Sequence, residues 1–170
     1  MNGLIIGDTP SFGHGKFLTK LLQEVGIEED QIQITSVVKE DVPVRENEME
    51  KRKEDLEALV KELRPRYILL MGATAARVLL DVADVNEVRG KWLREKNNIP
   101  CLVTYHPAAA LMDEGKILGL KKDLEQFSHA VRGRKRWRLK QLVKQRHFQW
   151  LTLGTFTFFL LLVLALIWVN

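Results

Sequence analysis

The side chains best placed for chemistry lie in two short stretches. The first is Thr104-Tyr105-His106-Pro107-Ala108-Ala109-Ala110-Leu111, which directly follows the apolar run Ile99-Pro100-Cys101-Leu102-Val103. Such a run reads as a buried parallel strand, so the His-Pro turn falls at a strand's carboxyl end, the edge where open α/β sheets bind ligands. Pro107 fixes its own φ and biases His106 toward an extended backbone, so the imidazole projects from a stiff turn. A histidine held this way can donate or accept a proton. The second stretch is Gly7-Asp8-Thr9-Pro10-Ser11-Phe12-Gly13-His14-Gly15, a Gly/Pro loop after the apolar run Gly3-Leu4-Ile5-Ile6. A loop of this composition lets backbone N–H groups approach a ligand, and Asp8 adds a carboxylate. Plainer readings stand beside these: a loop histidine that packs or caps, an aspartate that caps a helix or turn, and Phe12 and Leu111 as core. His14 and His129 show no partner pattern and read as solvated.

The elements that must position these residues alternate. Residues 3–6 read as a strand, and Lys16 to Val25 as a helix with Phe17, Leu18, Leu21, Leu22 and Val25 on one stripe, stopping at Gly26. Ile32 to Val38 reads as a second strand. Asn47 to Leu63 reads as a helix capped by Asn47 with Glu50 three residues on, ended by Pro65. Tyr67 to Met71 reads as a third strand, with Gly72 opening another strand-to-helix turn into a short helix over 73–80. The fourth strand is expected over 99–104, preceded by Arg89-Gly90-Lys91-Trp92, and residues 117–131 read as helical. This βαβα alternation predicts an α/β fold, a three-layer α/β/α sandwich around a roughly four-stranded parallel sheet.

Length and composition allow one such domain: 170 residues, 46% of them apolar. The net charge of +4 hides a segregation. Eight of the 26 basic residues fall at Arg132, Arg134, Lys135, Arg136, Arg138, Lys140, Lys144 and Arg146, with no acidic residue beyond Glu125. Residues 1–131 therefore carry 18 basic against 22 acidic groups, a net of −4, so the basic total does not argue that the domain binds nucleic acid. The one cysteine, Cys101, excludes an intramolecular disulfide and any cluster built from several cysteines of one chain. Leu151 to Val169 is uncharged over 19 residues, with Trp150 and Trp168 near its ends. It reads as one C-terminal transmembrane helix over 149–169. The basic run at 132–148 lies immediately before it, so the positive-inside rule places the N-terminal domain, 1–131, in the cytoplasm of a single-pass, tail-anchored protein. That run fits an anionic lipid surface, and alternatively DNA phosphates with Trp137 and Trp150 interleaved.

Four blocks, in order over residues 3–131, resemble the uracil-DNA glycosylase superfamily, in its family-4 and family-5 type branches. They are Gly7-Asp8-Thr9-Pro10, Thr35-Ser36-Val37-Val38-Lys39, Met71-Gly72-Ala73-Thr74-Ala75-Ala76, and Arg89-Gly90-Lys91-Trp92 with the Tyr-His-Pro-Ala-Ala-Ala-Leu block that follows it. The resemblance implies hydrolysis of the N-glycosidic bond to uracil or another damaged base in DNA, with the nucleotide flipped into a pocket. It implies that His106 stabilises the leaving base near its O2 and that Asp8 orients water or offsets charge on the sugar. Phe12 would stack on the base, worth about 1–3 kcal/mol, and Ser36 stands where the base is read. Backbone around Thr9, Gly13 and Gly15 would hold phosphates. Pro107, Leu111 and Met112 would contact the DNA, single-stranded or damaged, with Leu111 and Met112 able to wedge into the gap left by the flipped base.

The sequence also departs from the family's pattern. Ser36 replaces an asparagine, and a hydroxyl cannot make that side chain's paired contact to the base edge. Glu40 stands where a cluster cysteine of family-4 relatives would follow Val-Val-Lys, and with Cys101 alone the iron–sulfur cluster, like any other metal, is expected to be absent. The first loop is compressed. The alternative is thus a catalytically degenerate glycosylase fold, a membrane-anchored module that binds nucleic acid or a nucleotide. A membrane-bound nucleoside or nucleotide hydrolase is a third reading.

Overall fold

The computed structural model describes residues 2–10, 15–38 and 45–133. The chain divides into two units, Met1–Arg132 and Gly133–Asn170. The expected membrane span over 149–169 and nearly all of the basic segment lie outside the described residues, and so do Phe12 and Gly13. Among the described residues no helix is long and apolar enough to cross a membrane.

In chain order the elements are β1 (Gly3–Gly7), α1 (Lys16–Glu24), β2 (Ile32–Ser36), α2 (Met49–Leu63), β3 (Tyr67–Met71), α3 (Ala73–Leu80), α4 (Val85–Val88), β4 (Trp92–Arg94), β5 (Pro100–Thr104) and α5 (Pro107–Leu111). A last helix, α6, is described over 114–133. The strands form one sheet in the order β2-β1-β3-β5-β4. β2, β1, β3 and β5 run parallel, and β4 pairs antiparallel with β5. The expected sheet of four parallel strands is thus a mostly parallel sheet of five. The fifth strand has three residues, too few for a periodic signal, and a turn pins it. The buried Glu95 carboxylate accepts the Ile99 N–H at 2.9 Å and the Asn97 amide at 3.0 Å, and Asn98 takes φ 65° to close the hairpin.

Alternation along each strand divides the core between two faces. Leu4, Ile6, Ile68, Leu70, Cys101 and Val103 pack with Leu56 and Val60 of α2 and with Ala75, Ala76, Val78 and Leu79 of α3. Ile5, Leu69, Met71 and Leu102 pack on the other side with α1, α5 and α6 through Leu18, Leu21, Ala110, Leu120, Leu124 and Phe127. This is the expected three-layer arrangement. Gly3 is needed where α6 crosses β1, because a Cβ there would lie 2.9 Å from Phe127 Cζ.

α2 begins later than its sequence suggests. A short 3₁₀ turn over Glu46–Glu48 precedes it, Met49 is its first residue, and no side chain caps it, so Asn47 is not the N-cap. The Glu48 N–H bonds Arg45 O at 2.9 Å, which tightens the chain before the helix starts. Arg64 at φ 46° ends it ahead of Pro65. β2 stops at Ser36 rather than Val38, because the Ser36 hydroxyl turns back to donate to the Val38 carbonyl.

Candidate active site

The pairing register lines up the strand ends. Gly7 is opposite both Ser36 and Met71, and Met71 is opposite Thr104, so these four residues form one row across the carboxyl edge. The strand order reverses direction at β1, since β2 lies on one side and β3 on the other. The crevice between the ends of β1 and β3 is therefore the topological switch point, where ligands bind in open α/β sheets. The first three sequence blocks and the His-Pro block each include or directly follow a residue of this row, whereas Arg89 lies outside it, at the end of α4.

Asp8 leaves β1 into that crevice. Its Oδ1 accepts the Ala75 N–H at 2.9 Å, and Thr74 also donates to the carboxylate. The Ala75 N–H is an open donor of the first turn of α3, so the carboxylate caps a helix whose bonded residue lies sixty-seven positions away in the chain. Burial raises the Asp8 pKa above its ordinary 3.8; the Ala75 N–H, the charge of His106 and the Thr74 bonds pull it back down. Gly72 makes the approach possible. It holds φ 107°, and a Cβ on it would sit 2.6 Å from Asp8 Oδ2.

His106 is half-buried at the N-cap of α5, with φ −66° and ψ 138°, the extended backbone that Pro107 favours. Its Nδ1 accepts the Ala108 N–H at 3.2 Å. With Nδ1 used as an acceptor, the proton of the neutral ring resides on Nε2. The site thus brings an imidazole N–H donor and a carboxylate into one crevice, close enough for their charges to interact.

Ser36 lies in the same row, but its hydroxyl is committed to Val38 O. Thr9 is half-buried beside Asp8, and Gly15 forms the N-cap of α1 in an extended conformation. Pro107 is buried as the first residue of α5. Leu111 is 57% exposed and Met112 89% exposed, so Leu111 is not ordinary core. Among the described residues no group of three His, Cys, Asp or Glu gathers in a way that would hold a metal ion.

Two polar residues have parts the sequence reading did not assign. Thr74, quoted only as part of a block, reaches Asp8. Asp123 lies on α6 with 1% of its surface exposed. It accepts Thr104 Oγ1 at 2.7 Å and both of its oxygens lie 3.0 Å from Arg89 Nη1. The sequence does carry a signal for it: Asp123 interrupts the apolar stripe of Leu120, Leu124 and Phe127, and a charge on a buried stripe needs a partner.

A sheet with this order, its crevice holding a His-Pro turn and an aspartate, defines an α/β protein with a candidate site at the switch point. The chain belongs to the uracil DNA glycosylase superfamily, whose model matches residues 3–133. It is similar to the type-4 uracil-DNA glycosylase of Sulfurisphaera tokodaii, at 27% identity over 80% of this chain and 68% of that protein. It is also similar to type-4 uracil-DNA glycosylases of Pyrobaculum aerophilum, at 29% over 66% of this chain and 64% of that protein, and of Archaeoglobus fulgidus, at 29% over 57% and 55%. The chain spans roughly half to two thirds of these relatives' lengths.

Proposed function

We propose that the chain is a DNA glycosylase that hydrolyses the N-glycosidic bond of uracil or another damaged base flipped into the switch-point crevice. The observation that carries this reading is His106, whose Nδ1 is occupied by the Ala108 N–H so that Nε2–H is the donor. As the bond to the sugar breaks, its electron pair moves onto the base and charge grows on O2. An N–H aimed at that oxygen lowers the barrier. Water adds to C1′ of the sugar, and its proton is lost to solvent or to the leaving base. The Asp8 carboxylate, held by Ala75 and Thr74, offsets positive charge developing on the sugar. The test uses single-stranded oligonucleotides carrying uracil, hypoxanthine, xanthine or hydroxymethyluracil, followed by alkali. Strand breaks that disappear in His106→Ala are expected; breaks that persist in that variant overturn the assignment.

One observation favours a second reading. The Ser36 hydroxyl is bound to Val38 O, so a base edge at this position meets no paired donor and acceptor. A module that binds a base or nucleic acid without turnover would show affinity across the same panel and no breaks.

An iron–sulfur cluster of the four-cysteine kind does not fit these residues. The one cysteine lies within β5, buried, with its thiol 3.5 Å from Ile99 O. For residues 149–169 we propose a single membrane span, preceded by the basic run on anionic lipid, with the glycosylase unit on the cytoplasmic side. Resistance of the membrane-bound protein to alkaline carbonate tests this; release by carbonate would count against it.

A further inference from the structure

We propose that Asp123 and Thr104 together form a positioning device for His106. Only Tyr105 separates Thr104 from His106, so whatever fixes Thr104 fixes the root of the His-Pro turn. Thr104 is held from two directions. Its carbonyl accepts the Gly72 N–H at 3.0 Å, which ties it to the loop that carries the Asp8 cap. Its hydroxyl donates to Asp123 Oδ2 at 2.7 Å, which ties it to α6.

The same aspartate holds Tyr105 indirectly. Arg89 Nη1 lies 3.0 Å from each Asp123 oxygen, and the guanidinium carbon stands 5.2 Å from the centre of the Tyr105 ring. Tyr105 in turn donates its hydroxyl to Asn86 Oδ1 at 3.2 Å. Gly119 provides the room, because a Cβ there would lie 3.1 Å from both Arg89 Nη1 and Tyr105 Cε2. The two residues before His106 are therefore set, one by a hydroxyl and one by a stacked cation, from a single buried carboxylate.

An apolar residue at this position would hold α6 on the sheet without the cost of burying a charge. What an apolar residue cannot do is direct a hydroxyl and a guanidinium at once. A displacement of about 1 Å at a reacting group can cost a hundredfold in rate, and the Asp123 link is what keeps the imidazole from drifting.

The test compares Thr104→Val, Thr104→Ser and Asp123→Asn in the full solubilised chain. Its first readout is the nitrogen NMR spectrum of the His106 ring, which needs no substrate. We expect the wild-type protein and Thr104→Ser to show one tautomer with the proton on Nε2, and Thr104→Val and Asp123→Asn to show a mixture. The second readout rests on the glycosylase reading: kcat falls ten- to a hundredfold in Thr104→Val with KM within twofold, and Thr104→Ser recovers most of it. A Thr104→Val protein with the wild-type ring spectrum, or a Thr104→Ser protein as defective as Thr104→Val, overturns the proposal. Absence of turnover in every protein, wild type included, would remove the glycosylase reading and leave the spectra to decide the positioning role. Valine matches threonine in shape, so this pair decides the matter even if Asp123→Asn fails to fold.

Discussion

Asp8 joins two roles that are usually separate, since the carboxylate that caps α3 also faces His106. Folding raises its pKa, mainly through burial. The native state therefore holds this proton more tightly than the unfolded chain. The group's contribution to stability is complete below the ordinary value of 3.8 and is lost as pH rises through the higher folded value. Asp8→Asn should abolish that part of the pH dependence, read as a flatter plot of urea midpoint against pH than the wild type gives. Gly72→Ala should destabilise by at least about 1 kcal/mol, because it combines a positive φ with a collision on Asp8; chemical denaturation measures it. Burial, with the charge of Glu95 adding to it, pushes the Cys101 thiol up to about 12. It should resist alkylation at neutral pH until the protein is unfolded, as mass spectrometry of iodoacetamide-treated samples would show. The positions of His106 and Asp8 just beyond apolar strands could be read from local sequence, while the roles proposed for them come from the family resemblance. The α3 cap could not, because the bond from Ala75 to Asp8 joins positions sixty-seven apart.

Elements whose signal is carried by their own residues were legible. β1, β3 and β5 are short apolar runs bounded by glycine, proline or polar residues, and α3 follows its glycine directly. β4 was not, because its existence depends on the Glu95 turn and on an edge of β5 that the sequence does not advertise. The start of α2 was misread for a related reason. A 3₁₀ turn and a capping box draw on the same polar residues, and the backbone bond from Glu48 to Arg45 decides between them. At this scale the helix that closes the sandwich is α6, through Phe127, which has no exposed surface and lies against Gly3. Phe127→Ala should cost about 3–5 kcal/mol of stability by leaving a cavity between α6 and β1, measured by urea unfolding.

Across the whole molecule, charge is sorted along the chain. The first 131 residues sum to −4, and the eight basic residues between 132 and 146 reverse the sign of the total. Association with anionic vesicles should therefore follow that segment. Replacing its eight basic residues by glutamine should weaken cosedimentation with such vesicles, and salt should weaken the wild-type interaction in the same direction. An unchanged affinity would count against the proposed contact of the basic run with anionic lipid. Overall architecture was legible because hydrophobic alternation repeats along the chain. The Arg89–Asp123 pair was not, since the two lie 34 positions apart and nothing between them marks them as partners.

The place of β1 in the sheet has a consequence for synthesis on the ribosome. β1 precedes every other element in the chain, yet it sits between β2 and β3, and its first residue is covered by Phe127 of α6. An apolar strand thus emerges well over a hundred residues before its cover. Until α6 has cleared the exit tunnel, α1 can pack on Ile5 but the Gly3 end of that face lacks Phe127 and Val131, and the nascent chain keeps this part of the strand exposed throughout that interval. Chaperone dependence should accordingly be greatest for nascent chains halted before Phe127 and should drop once α6 is free.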